Sequence, residues 1–303
     1  MRLMKFARLG FAAVTASAVL AVPAVSAQAA TGPANVQATH AYLFDQTAHK
    51  ALWSRAGYTK VPIASLTKLM TAYTVIHKGN LNRTITISPD DAAYPAAHGC
   101  TQAYLKAGER ITARELLYGM LLPSGCDAAK ALSEAYGPGN AAFVRAMNQN
   151  AATFGLTSTH YTSVDGVPVS GRGDGWSTAR DQVRLALLTM SDPILRGVVG
   201  TRTHTLVASK LHRGHTWSNT NLLLGKYPGV IGIKSGFTNA AGYCLLFSAV
   251  RNGRTLTGVV LHSTTTAAGV RFTDAGAILD WAFHTHTPMT LTNARVIPGV
   301  TTD

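Results

Sequence analysis

Pro62-Ile-Ala-Ser65-Leu-Thr-Lys68-Leu-Met-Thr-Ala72 is the stretch on which the reading of this 303-residue chain turns. Leu66, Leu69, Met70, Tyr73 and Ile76 recur at helical spacing, and Gly79 stops the run, so a helix is expected over Ser65 to His77. Inside it lies the chain's only Ser-x-x-Lys. On its own the pattern describes a helix start with Ser65 as N-cap and Lys68 on a solvated face equally well. The spacing also suits chemistry. Residues three apart share a helix face, so the amine can reach the hydroxyl, and a helix start offers backbone N–H groups to a developing anion. A serine hydroxyl needs a base to remove its proton. A lysine serves only where burial or a second cation disfavours its ammonium form.

Working outward, two further elements follow in order, Ser124-Gly125-Cys126 after Pro123 and Lys234-Ser235-Gly236. The first also reads as a turn in which Ser124 caps a helix from Asp127, the second as an exposed strand end. Gly236 would let a substrate approach the strand edge closely. Residues 38–44 and 50–54 read as strands around a turn at Asp45–His49. Helical patterns cover Arg114–Met120, Asp127–Tyr136, Ala141–Phe154 and Thr178–Met190. Strands are expected at Val230–Lys234, Tyr243–Val250 and Thr255–His262, the last two joined by the hairpin signal Asn252-Gly253. Phe272–Phe283 closes as an amphipathic helix. This order predicts an antiparallel sheet built from both chain ends, with helices on its faces and a helical subdomain inserted between them.

The chain starts with Arg2, Lys5 and Arg8, an apolar run from Leu9 to Val25, and Ala27-Gln28-Ala29. That is the pattern of an export signal cleaved after Ala29. A charged fraction of 14% excludes a disordered chain as the main reading. The formal charge of +13 is scattered, with no run of basic residues and no zinc-finger spacing, so nucleic acid is not an expected partner. Three cysteines are an odd number for an exported chain and leave a Cys100–Cys126 disulfide open. No metal-ligand set is complete around the histidine and cysteine pairs, and no cofactor is expected. Trp53, Trp176, Trp217 and Trp281 read as packing residues, and Cys244 as a core thiol.

The three elements come with informative flanks: Leu116-Leu-Tyr-Gly-Met-Leu-Leu-Pro-Ser124-Gly-Cys126-Asp-Ala128 around the second, Asn219-Thr-Asn-Leu-Leu-Leu224 and Tyr227-Pro-Gly-Val-Ile-Gly-Ile-Lys234-Ser-Gly-Phe-Thr238 around the third. Together they resemble the serine-type D-Ala-D-Ala carboxypeptidases and transpeptidases, the low-molecular-mass penicillin-binding proteins of peptidase family S11. The likeness runs from about Thr39 to Phe283 and is nearest to the single-domain actinomycete type with Ser-Gly-Cys as second motif. It implies an α/β (α+β), β-lactamase/DD-peptidase-like fold: a five-stranded antiparallel sheet flanked by helices, with an inserted all-helical subdomain. Residues 30–303 would form one catalytic domain, with the sheet at about 30–64 and 222–290 and the helical subdomain at about 65–221. Neither the extra β domain nor the membrane anchor of many relatives is expected.

By the same resemblance, Ser65 is the acylated nucleophile, Lys68 its base, and Ser124 a proton relay towards the leaving amine. Lys234 and Ser235 would hold the terminal carboxylate, with Gly236 and Thr238 beside them. The amides of Ser65 and Phe237 would form the oxyanion hole. Cys126 stands where most relatives have Asn and would contact substrate only weakly. A disulfide to Cys100 would draw it out of that role. Ser235 replaces Thr and keeps the hydroxyl. The implied partners are peptidoglycan stem peptides ending in D-Ala-D-Ala, with β-lactams as covalent inhibitors. The chain is expected to be exported and monomeric. A class A β-lactamase is the competing enzyme, but it needs a Glu in a Glu-x-x-x-Asn loop between the second and third elements, and the last Glu in the chain, Glu134, comes only ten residues past Ser124, outside that loop. A catalytically weak wall-binding homologue is the alternative outside enzymes, suggested by Cys126.

Overall fold

The computed structural model describes residues 32–171 and 173–285. The chain divides into residues 1–31 and 32–303, and all that follows concerns the second unit. The expected export signal lies outside the described residues.

In chain order the elements are β1 (His40–Asp45), β2 (Lys50–Arg55), β3 (Val61–Pro62), α1 (Lys68–Lys78), β4 (Thr84–Thr86), α2 (Pro89–His98), β5 (Arg110–Thr112), α3 (Ala113–Leu121), α4 (Cys126–Tyr136) and α5 (Asn140–Thr153). They continue with β6 (Trp176–Ser177), α6 (Ala179–Thr189), α7 (Pro193–Gly200), β7 (Thr203–Leu206), β8 (His215–Ser218), β9 (Val230–Thr238), β10 (Gly242–Arg251), β11 (Arg254–Leu261) and α8 (Val270–Phe283). Five strands form one antiparallel sheet in the order β2-β1-β11-β10-β9, so both ends of the described chain meet in it and β9 is an edge. Residues Asn252 and Gly253 both take positive φ (50° and 74°), the geometry that lets a two-residue turn follow the strand twist.

One face of the sheet is covered by α8. Phe272, Ala275, Ile278, Leu279 and Ala282 form a stripe one helix face wide and pack with Leu43, Leu245, Phe247 and Val260. Each large side chain so buried is worth about 1.5–3 kcal/mol. The Asp274 carboxylate on the same helix accepts Gln37 N–H and Ala38 N–H, both at 2.8 Å, and ties down the start of the described chain. The other face, with Cys244, Leu246 and Val259, merges into the core of the inserted helical subdomain through Leu66, Leu69, Met70 and Val183.

The expected architecture is present, and the insert carries more than was read from sequence. It includes α2, α7, the two-stranded pairs β4–β5 and β7–β8, and β6, which pairs with β3 just ahead of the insert. Helix α2 has a weak apolar stripe and Pro95 inside it, so periodicity misses it. Its start is nonetheless marked by a capping box between Ser88 and Asp91 and by Pro89 at the first turn. Thr178 caps α6, accepting Asp181 N–H at 3.0 Å. Of the four tryptophans, Trp217 is buried and donates to the Ala103 carbonyl at 2.9 Å, whereas Trp176 is exposed. No helix among the described residues is long and apolar enough to cross a membrane.

Candidate active site

Ser65 does not cap an α-helix. It sits inside a 3-10 turn, Ala64–Thr67, and α1 starts only at Lys68. Ala64 is held at φ +49°, a backbone conformation that costs a non-glycine residue about 1–3 kcal/mol. The turn is gripped from two sides. A Cβ on Gly166 (φ +88°) would stand 1.9 Å from the Ala64 carbonyl oxygen. A Cβ on Gly236 would stand 3.0 Å from the Ser65 backbone nitrogen. Two glycines therefore let a loop and the β9 edge press against the backbone of one serine. The surroundings hold Ser65 in place without help from its own side chain.

Lys68 is fully buried, not on a solvated face. Its Nζ donates to Ser65 Oγ at 2.9 Å, to the Asp165 carbonyl at 3.0 Å and to Cys126 Sγ at 3.6 Å. The helical spacing read from sequence thus becomes a direct contact between amine and hydroxyl. Ser124 is fully buried at φ +70°, and its Oγ makes no hydrogen bond among the described residues. It does not cap α4, whose N-cap is Gly125. Its carbonyl is fixed by Thr101 Oγ1 at 2.8 Å. A Cβ on Gly125 would lie 2.6 Å from the Gly119 carbonyl, so this turn is too tightly packed for a side chain there. Asp127 locks the segment before it, accepting Ala103 N–H at 2.8 Å and Leu105 N–H at 3.1 Å. Burial pushes its pKa above the ordinary carboxylate value, against the pull of those hydrogen bonds.

The third element is not an exposed strand end. Lys234, Ser235 and Gly236 lie inside β9, which runs on to Thr238, and all are buried. Lys234 pairs across the ladder with Leu246 and Gly236 with Cys244, so both residues share the sheet face turned to the helical subdomain. Lys234 Nζ donates to the Ser235 carbonyl at 3.0 Å. Ser235 Oγ and Thr220 Oγ1 are 2.7 Å apart. Phe237 stacks on Tyr243 with ring centroids 4.1 Å apart. Thr238 is turned to a local task, accepting Ala241 N–H at 3.0 Å.

Cys126 is both paired and present. It forms a disulfide with Cys100, yet its sulfur stays beside Lys68. The expectation that a disulfide would draw it away is corrected: Cys100 approaches from the α2 side, and α4 holds the Cys126 backbone fixed, with its N–H on the Thr101 carbonyl at 2.9 Å. Cys244 is a buried thiol on β10 that donates to neighbouring carbonyls.

Three residues enter the site that sequence reasoning left without chemistry. Asp165 gives Lys68 its carbonyl. Thr220 supplies the hydroxyl facing Ser235. Arg271, from α8, donates to the Gly236 carbonyl at 3.1 Å and lies over the Tyr243 ring at 4.9 Å from its centroid. Thr220 stands in the Asn219–Leu224 flank already quoted, but no role was read for it; Asp165 and Arg271 stand in none of the three motifs. Cys100, Cys126 and Asp165 also make up a set of metal-capable groups.

The match with known proteins follows the same lines. Residues 26–265 match the family model described as D-alanyl-D-alanine carboxypeptidase. The chain is 37% identical to the D-alanyl-D-alanine carboxypeptidase of Streptomyces sp. (strain K15), over 92% of this chain and 99% of that one. It is 36% identical to D-alanyl-D-alanine carboxypeptidase DacB2 of Mycobacterium tuberculosis, over 73% and 74%. The crystal structure of the Streptomyces K15 DD-transpeptidase superposes with a TM-score of 0.78 at 37% identity, covering 84% of this chain and 99% of that chain. With the fold, the three motifs and these relatives in agreement, the chain belongs to the D-alanyl-D-alanine carboxypeptidase family and is a serine-type peptidase.

Proposed function

We propose that the chain cleaves the terminal D-Ala-D-Ala bond of peptidoglycan stem peptides through an ester on Ser65, and passes the acyl group to water or to an amine. The observation that carries this is the 2.9 Å hydrogen bond from a fully buried Lys68 to Ser65 Oγ. Ser65 Oγ attacks the carbonyl of the penultimate D-Ala while Lys68 takes its proton. The backbone amides of Ser65 and Phe237 face the oxyanion; one such donor is worth about 10²–10³ in rate. Ser124 Oγ, buried and uncommitted among the described residues, hands the proton to the leaving D-Ala nitrogen. Lys234 and the Ser235 hydroxyl hold the terminal carboxylate, with Arg271 steadying the Gly236 carbonyl behind them. Thr238 bears on the carboxylate only through the turn it caps.

Transfer to an amine is the reading favoured by Cys126. A disulfide sulfur cannot donate to the substrate amide as Asn does, so the site does little to position the acyl-enzyme for attack by water. A β-lactam would acylate Ser65 in the same way. The loop around Asp165 carries no Glu, and a lasting adduct is expected. The export signal at residues 1–29, the single catalytic domain at 30–303 and a monomeric state complete the reading.

The test is intact-protein mass spectrometry after benzylpenicillin. An adduct should form on the wild type and be absent from Ser65→Ala. Rapid catalytic nitrocefin hydrolysis, or an adduct that persists in Ser65→Ala, would overturn the assignment. Product analysis of a D-Ala-D-Ala stem peptide, with and without an added amine, separates hydrolysis from transfer.

A further inference from the structure

We propose that the tip of the β7–β8 hairpin, together with the segment that follows Thr101, is a surface that docks on a bilayer containing anionic lipid. Among the described residues seven large apolar side chains are exposed, and three of them fall here: Tyr104 at 63%, Val207 at 76% and Leu211 at 45%. Exposed apolar residues scattered singly are ordinary, but three on two adjoining segments make a patch. Four cations share those segments, Lys106, Arg110, Lys210 and Arg213, and all four are exposed. The fold thus gathers charge that the sequence scatters.

The two segments are stitched into one surface by their backbones. The buried carboxylate of Glu109 accepts Lys106 N–H at 2.7 Å from one and Arg213 N–H at 3.0 Å from the other. Arg110 N–H donates to the Leu211 carbonyl at 2.9 Å, and the Arg213 guanidinium donates to the Tyr104 carbonyl. Glu109 is the only acidic residue within 101–112 and 203–217. It is buried against His215, so the charge these segments expose is positive throughout. Tyr104 is held outward. Its neighbours Ala103 and Leu105 are buried with both N–H groups on Asp127, and Tyr104 itself sits at φ +61°, uncommon for a large residue.

This combination selects the partner. Cations alone would suit any polyanion, a hydrated wall polymer included. Val207, Leu211 and Tyr104 gain nothing from a hydrated polymer. They gain by entering the boundary between headgroups and acyl chains, while the long cationic side chains stay at the level of the lipid phosphates. Both segments lead into the cleft. Thr101 Oγ1 holds the Ser124 carbonyl at 2.8 Å, and Thr220, just past β8, faces Ser235 Oγ at 2.7 Å. A docked molecule therefore carries its cleft close to the bilayer. The surface does not depend on the reaction proposed above.

The test is cosedimentation of the full chain with vesicles. All variants keep residues 1–31, so whatever that segment contributes is common to them. Phosphatidylcholine vesicles with about 30% phosphatidylglycerol should bind the protein at least about tenfold more tightly than pure phosphatidylcholine. Lys106→Glu combined with Lys210→Glu should weaken that binding more than about tenfold. Val207→Ser combined with Leu211→Ser should also weaken it at least about tenfold, with both double variants folded by circular dichroism. Insertion is read locally through a polarity-sensitive fluorophore on Val207→Cys. Cys100 and Cys126 are paired and Cys244 is buried, so the new thiol is labelled selectively without reductant. Its emission should shift to the blue on the anionic vesicles. Charge-reversed protein that binds as the wild type does overturns the surface. Wild-type binding by the Val207→Ser, Leu211→Ser protein, or an unshifted fluorophore on bound protein, overturns the bilayer as partner and leaves a purely electrostatic contact with a polyanion.

Discussion

The two walls of the cleft are built in opposite ways. On the side of the 3-10 turn, one side chain gathers the others: Lys68 bonds the Ser65 and Cys126 side chains and also the Asp165 backbone carbonyl. On the side of β9, the backbone does the holding. Lys234, Ser235 and Gly236 are placed by ladder pairing with β10, and Arg271 reaches a carbonyl, not a side chain. In the proposed reaction the first wall places groups that exchange a proton over one hydrogen bond. The second presents an edge to which a peptide can be added. A side-chain network fails when one member is removed; a ladder survives the loss of a side chain. Substitutions should separate the two walls by size and by kind.

The largest effect belongs to Lys68→Ala. It should lower the acylation rate about 10²–10⁴-fold, the range for loss of a positioned base, measured by stopped-flow penicillin binding, with the fold intact. An unchanged rate would erase the distinction between the walls. Next, Lys234→Ala should weaken binding of a stem peptide about 10–100-fold, the loss of a charge-assisted contact, chiefly in KM. An equal fall in kcat with no change in KM would move Lys234 onto the chemical wall. Gly236→Ala tests the seam between them. A Cβ 3.0 Å from the Ser65 nitrogen and 3.2 Å from the Ala64 Cβ crowds the oxyanion position, and kcat should fall about tenfold with a small change in Tm.

The smallest effect lies outside the cleft and serves as a control. Glu109 is buried against His215 at 3.0 Å. Burial pushes its pKa up, but hydrogen bonds from Lys106 N–H, His215 and Arg213 N–H outweigh that and leave it below the ordinary value. A depressed carboxylate contributes stability that is present above its unfolded value and lost as pH falls through the folded one. Tm of the wild type should drop below about pH 4, and Glu109→Gln should flatten that drop while leaving acylation untouched. An unaltered pH profile would remove Glu109 as the source.

Much of this was legible in the chain itself. Helical spacing in Leu66, Leu69, Met70 and Tyr73, alternation in the sheet strands and Asn252-Gly253 fixed the elements, because periodicity reports which face is buried whatever it is buried against. The family resemblance carried by the three ordered motifs led to the expectation that Ser65, Lys68, Ser124 and Lys234 share one site. Helix α2 was hidden by Pro95 and a weak stripe. The 3-10 start at Ser65 was hidden because a turn and a first helical turn share the same spacing.

What only tertiary structure decided is the set of contacts between residues distant in sequence. Asp165 meets Lys68 across 97 positions, Arg271 meets Gly236 across 35, and Cys126 touches Cys100 and Lys68 together. Sequence fixes local period because it acts over one or two turns of chain. It leaves open which loop closes on which sulfur, since that depends on how two cores and a sheet edge pack in three dimensions.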